Sequence, residues 1–246
     1  MLAEFTREEL AAGADRVVME MLATAGLRGP PVDSLVLAHR LGLTVVEDDR
    51  QEGRARYVRL RGRRATGPRA TILLRPEPRA ERRHWAVAHE IGEHVACRVF
   101  AVWGVDPREA GPRAREEVAN ALAARLLLPT AWFTSDGVQT GWDLLRLKSY
   151  YSTASHELIA RRMLDCPPPV IVSMFDQAAI SFRRSNVPGR PPPPSPAETQ
   201  CWRAAHANRP VQTWDGACKI QGWPVHEEGW KREILRTTVD EFPSDG

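Results

Sequence analysis

The 246 residues carry 34 Lys and Arg against 31 Asp and Glu, a formal charge of +3, with 43% hydrophobic and 26% charged positions. This is an ordinary globular balance, long enough for one large domain or two small ones, and too close to neutral to imply a nucleic-acid partner from charge alone. No stretch approaches the apolar length that crosses a bilayer, and Glu4, Glu8 and Glu9 break the basic-then-apolar layout of a secretory signal, so no membrane association and a cytoplasmic location are expected.

The chain opens on a helix signal. Thr6-Arg7-Glu8-Glu9 fits a capping box, and Leu10, Val17, Val18, Met21 and Leu22 follow at helical spacing until Gly26, Gly29, Pro30 and Pro31 end it. Asp33, a good N-cap, opens a short second helix through Leu35, Ala38 and Leu41 to Gly42. Three strands are expected next, Leu43 to Glu47, Ala55 to Arg61 and Ala70 to Arg75, the last two separated by Gly62 and the Gly67-Pro68 pair; together they predict a small antiparallel sheet. Twelve arginines lie between Arg50 and Arg83 against Glu52, Glu77 and Glu81. Such a run suits an acidic or nucleic-acid partner, but a sheet edge guarded by charge against mispairing explains it more simply.

The stretch Ala86-Val87-Ala88-His89-Glu90-Ile91-Gly92-Glu93-His94-Val95-Ala96 sets two imidazoles and two carboxylates within six positions of an apolar segment. A solvated helix face would accommodate them, but this order behind an apolar lead-in points to a metal ion. Zinc takes imidazole nitrogen and carboxylate oxygen and, in catalytic sites, keeps one position for water. The usual signature spaces two His one turn apart, with a Glu between them as general base. Here the second His comes one residue late. At about 100° per residue, Glu93 at i+4 shares the face of His89, whereas His94 at i+5 lies about 140° away. Two ligand pairs follow: His89 with Glu93 on a regular helix, or His89 with His94 if a π-bulge, eased by Gly92, absorbs the extra residue. Either leaves Glu90 as general base. His84, off that face, is expected as a surface residue or as one at the start of the helix.

After a Gly- and Pro-rich loop over Val102 to Arg113, the run Arg115 to Pro129 reads as a helix with Val118, Leu122 and Leu126 on one stripe and Pro129 as its stop. Glu116 and Asn120, four apart, share a face that can look back at His89. From there Glu116 can complete a metal site as third ligand, and Asn120 can orient a ligand.

Ala88-His89-Glu90-Ile91-Gly92 and the later set Glu116, Ala119-Asn120, Ala123, Leu126-Leu127-Leu128 and Pro129 resemble, in order, the two motifs of the ImmA/IrrE metallopeptidases. The resemblance covers roughly Asp33 to Leu164. It implies an α+β, zincin-like metallopeptidase domain of gluzincin type, a Zn2+ cofactor, Glu90 as base and Glu116 as third ligand. It places Glu93 at the family's second His, unless the added residue hands that role to His94. It further implies a protein substrate, a helix-turn-helix transcriptional repressor or other regulatory protein, cut to release a stress or mobile-element response.

Downstream, Trp142 to Lys148 and Thr153 to Leu164 predict a helical pair joined by a polar link at Tyr150 to Ser152. Its second helix offers His156, Arg161 and Arg162 for DNA reading, but two antiparallel helices closing a small core give the same pattern, so direct nucleic-acid binding is not expected. His156, Tyr150 and Tyr151 are candidates to steady an oxyanion. Cys166 and three prolines mark a boundary, giving a peptidase domain over residues 1–165, with the helical pair at 142–164, and a small accessory α+β segment over 166–246. In that segment Val170 to Phe175 and Ile180 to Arg184 predict a hairpin around Asp176-Gln177. The stretch 187–196, with Pro191 to Pro194 consecutive, predicts a stiff connector. Trp202, Trp214, Trp223 and Trp230 suit a small core or a partner surface, and Glu227 to Arg236 a final helix. Cys97, Cys166, Cys201 and Cys218 show no ligand spacing and are expected as free thiols.

The expected function is an intracellular zinc endopeptidase in which Glu90 takes a proton from a metal-activated water. The alternative is a metallopeptidase-like sensor or binding module, weak or inactive in turnover and acting with a DNA-bound regulator. The altered H-E-x-x-E-H spacing is the feature that favours it.

Overall fold

The computed structural model describes residues 7–61 and 68–239. By their contacts these fall into two compact units, one holding the chain up to Phe133 with Tyr150–Ser155, the other Thr134–Ser149 with the chain from His156 onward.

The first unit begins with α1 (Arg7–Thr24) and α2 (Ser34–Arg40). Thr6 of the capping box, and Gly62 and Gly67 of the expected turn, lie outside the described residues. Asp33 caps α2 as its sequence predicts, its Oδ1 accepting the N–H groups of Leu35 at 2.8 Å and Val36 at 3.0 Å. Gly42, with φ of +76°, turns the chain out of α2 in a conformation that costs other residues strain. Strands β1 (Thr44–Glu47), β2 (Ala55–Arg61) and β3 (Pro68–Leu74) form a sheet in the order β1-β3-β2. This sheet is mixed rather than antiparallel: β2 pairs antiparallel with β3, but β1 pairs parallel with it. The chain reverses twice between β1 and β3, which restores its direction, and β2 takes the outer position.

Helices α3 (Ala80–Val102) and α4 (Pro112–Leu127) complete the layer that carries the motifs. Val87, Ile91 and Val99 of α3 meet Leu122 and Leu126 of α4, Val17 and Leu22 of α1 and Ile72 of β3 in one buried cluster. Three to four apolar positions per two turns give each helix this buried face. α3 is α-helical at every residue, with no π-bulge. His84 lies near the start of α3, the second of its two expected placements, and not at the surface. It is buried, and its Nδ1 lies 3.1 Å from Ser34 Oγ.

Pro129 ends α4 yet flanks a helix that its presence obscured, α5 (Thr130–Thr140), whose Phe133 N–H donates to Pro129 O at 2.8 Å. A proline lacks only its own N–H, so at a helix entrance it obstructs nothing. The expected helical pair forms as α6 (Leu144–Tyr150) and α7 (His156–Arg162), with a 3-10 turn over Met163–Asp165. Arg162 is buried and paired with Asp165, while Arg161 pairs with Glu157 and lies over the Phe182 ring. Two of the three groups on which a DNA-reading face would depend are thus engaged within the second unit.

That unit is built on an antiparallel sheet of β4 (Val170–Asp176), β5 (Ala179–Ser185), β6 (Val211–Asp215), β7 (Cys218–Glu227) and β8 (Trp230–Val239), in the order β5-β4-β8-β7-β6. The helix expected over Glu227 to Arg236 is instead the central strand β8. Glu233, Ile234, Leu235 and Arg236 are buried in succession, so both faces of β8 are covered there, and a strand covered on both faces loses the alternation that marks a half-exposed one. Glu233 and Arg236 are buried there because they have partners: Glu233 accepts from Trp202 Nε1, His206 Nδ1 and His226 Nε2, and Arg236 donates to Gln221. The proline connector ends about where expected, but it leads into a helix outside the expected elements, α8 (Pro196–His206), which Ser195 caps in a reciprocal capping box with Glu198. Trp202 stacks on Phe175 in the small core under α8 and Trp223 is buried, whereas Trp214 and Trp230 are exposed. The four cysteines are free, and no helix among the described residues is long and apolar enough to cross a membrane.

Candidate metal centre

The site is built where α3 and α4 come closest. Gly92 faces Ala119 so tightly that a Cβ on it would lie 2.7 Å from the Ala119 carbonyl oxygen. This glycine therefore serves close helix contact, not a helical defect. On the regular α3, His89 and Glu93 stand one turn apart, and α4 brings Glu116 up to them. Donor atoms of the three residues all lie within 4.8 Å of one another. His89 Nε2 is 3.6 Å from Glu116 Oε2 and 4.0 Å from Glu93 Oε1. The imidazole is mostly covered and the two carboxylates about half exposed, so the cluster opens to solvent on one side.

Asn120 organises two members of the group. Its Oδ1 lies 3.2 Å from His89 Nδ1, and its Nδ2 donates to Glu116 Oε1 at 2.9 Å. With the amide in that orientation, Oδ1 can only accept, so His89 carries its proton on Nδ1 and turns the Nε2 lone pair toward the carboxylates. Hydrogen bonds of this kind orient metal-binding side chains. One imidazole nitrogen and two carboxylates form a donor set that fits a divalent metal, whose charge would offset the repulsion between the acids.

Glu90 and His94 occupy the adjoining face of α3. Glu90 is buried, and its Oε2 accepts the backbone N–H of Tyr57 at 2.6 Å. Burial pushes its carboxyl above the ordinary range; the Tyr57 hydrogen bond and His89 pull it back, while Glu93 and Glu116 raise it further. His94 is not in the donor group. Its ring lies 4.9 Å from that of Tyr57, centroid to centroid, and burial, with a smaller push from Arg59, holds its pKa below the usual imidazole value. Among the oxyanion candidates, Tyr151 is fully buried edge-on against Phe133. Tyr57 is the residue that sequence reasoning missed: its role depends on β2 lying against α3, a pairing that no local pattern announces.

The sequence matches the family model described as the IrrE N-terminal-like domain, a peptidase family, over residues 38–163. Among solved structures, a Mycobacterium tuberculosis transcriptional regulator is similar, with a TM-score of 0.64 at 19% identity, covering 91% of this chain and 74% of that one. At that identity the likeness concerns the fold alone. No curated protein matches the sequence. The family match spans half of the chain and contains His89, Glu90, Glu93 and Glu116, and the chain belongs to the IrrE N-terminal-like peptidase family.

Proposed function

We propose that this protein is a zinc-dependent endopeptidase in which His89, Glu93 and Glu116 hold the ion and Glu90 is the general base. The observation that carries the reading is the convergence of those three donors beside a buried carboxyl on the next residue of α3. Zinc in such a site supplies Lewis acidity, which brings proton loss from water toward neutral pH. A carboxyl raised by burial suits a group that must take a proton from water and pass it to a leaving amine. The Tyr57 N–H steadies one oxygen of Glu90 and leaves the other for that exchange. Asn120 keeps His89 in the tautomer that offers Nε2.

Family membership and the fold shared with a transcriptional regulator support a regulatory protein as the substrate, a helix-turn-helix repressor in the first instance. Two carboxylate ligands would partly cancel the charge of the ion and acidify water less than two imidazoles would. That donor set favours the second reading, a metallopeptidase-like binding module with little turnover.

Metal content of the wild type and Glu90→Gln, measured alongside cleavage of a co-expressed repressor, tests both. Zinc near one per chain in each protein with cutting only by the wild type is the expected result. Absence of metal from both would sink the proposal, and metal without cutting would leave the binding module.

A further inference from the structure

Four of the twelve arginines between Arg50 and Arg83 meet in the first unit. Arg54, Arg75, Arg82 and Arg83 line a pocket of ≈ 260 Å³ whose single carboxylate is Glu77 and whose other lining residues are Leu74, Pro76 and Ala86. They reach it from two elements. Arg75 N–H donates to Arg54 O at 2.9 Å, continuing the β2–β3 ladder beyond Ala55 and Leu74, so the two side chains leave the strand ends side by side. Like charges set opposite each other in this way destabilise a strand pair. Arg82 and Arg83 come from the first turn of α3, where the helix dipole disfavours positive charge.

The chain does little to offset this. Glu77 Oε1 accepts the Arg79 N–H at 3.1 Å, and Oε2 lies 3.7 Å from Arg82 Nη1. No carboxylate among the described residues pairs with Arg54, Arg75 or Arg83, and Arg83 Nε is buried without a hydrogen-bond partner. A concave site lined by four arginines, with one acid already engaged and an orphaned buried N–H, lacks an anion. Guanidinium forks match the oxygens of a phosphoryl group two at a time. The volume suits one such group rather than an extended polyanion, whose phosphates need a row of contacts along a surface.

We propose that this pocket is a binding site for a phosphate-class oxyanion, either free phosphate or the phosphoryl end of a small phosphate monoester. The site stands apart from the metal reading, since none of its residues is in the His89 group.

The test is thermal unfolding and titration calorimetry of the full chain at constant ionic strength, with inorganic phosphate, ribose 5-phosphate, chloride and a short DNA duplex. Phosphate or the monoester should give a saturable rise in Tm that chloride does not, and whichever binds more tightly identifies the source of the phosphoryl group. Half-saturation should weaken by roughly tenfold or more in Arg83→Gln and in Arg75→Ala, each of which removes one charge-assisted contact. Arg56→Ala, an exposed arginine of β2 outside the pocket, should leave it unchanged. Should Arg83→Gln fail to fold, Arg75→Ala, at an exposed strand end, carries the comparison. A response equal to that of chloride, one that survives both pocket substitutions, as phosphate binding at a metal would, or binding by the duplex alone would overturn the proposal.

Discussion

Gly92 of α3 sits against the backbone of Ala119 in α4, with room for no Cβ: one built there would lie 2.7 Å from the carbonyl oxygen and 3.2 Å from Cα. The obstruction is backbone, which cannot swing aside. Gly92→Ala should therefore separate the helices locally at a cost of about 1–3 kcal/mol and carry Glu116 away from His89. Lower Tm together with reduced zinc per chain is expected, and a variant with full metal content would show that the close approach is not needed.

Substitutions of Glu93 and His94 separate the two ligand sets. Glu93 shares the face of His89 and approaches its Nε2, whereas His94 packs on Tyr57. Glu93→Gln and Glu116→Gln should each lose most bound zinc in equilibrium dialysis, and His94→Ala should keep it. The reverse pattern, metal retained without Glu93 and lost without His94, would refute the assignment.

Asn120 touches both His89 and Glu116 without belonging to the donor group. Its loss frees the imidazole to rotate and change tautomer. Asn120→Ala should weaken zinc binding by about 10–100-fold, the range seen when such orienting partners are removed. Competition with a chromophoric chelator measures this, and stability should change much less than affinity.

Acid should loosen the second unit through Glu198. Burial pushes this carboxyl up, but the paired Arg183 guanidinium, the Ser195 N–H and Thr237 outweigh it and hold the pKa below the ordinary value. A depressed folded pKa means that the stabilisation is fully present above the unfolded carboxylate pKa, about 4.3, and is lost as pH falls through the lower folded value. Glu198→Gln should lose about 3–5 kcal/mol near neutrality, because the largely covered Arg183 charge keeps only the neutral partners Ser173 and Pro192. Its stability should then vary less than that of the wild type between pH 5 and 3, as urea melts at each pH would show.

Much of this protein is legible in one dimension. Asp33 and Gly42 bracket α2, the motif residues lie in the span that matches the family model, and the β4–β5 hairpin follows from two strand-like runs on either side of Asp176-Gln177. These are local matters of capping, periodicity and turn chemistry. Ser195 and Glu198 show that such signals are also easily overlooked, since a readable capping box stood beside a proline run that suggested only a connector.

What the sequence by itself determined is the set of candidates, His89 and Glu90 with either Glu93 or His94 on one helix; the regular course of α3, with no π-bulge, sets His89 and Glu93 on one face and turns His94 away. Tertiary structure alone decided what each face meets. Gly92 against Ala119 brings Glu116 to His89, β2 supplies the Tyr57 N–H to Glu90, and the middle of a sheet makes a strand of the charged segment Trp230–Val239. Periodicity is a property of a single helix or strand and is written in its residues. Contact between elements depends on how whole surfaces fit, and no local spacing encodes that.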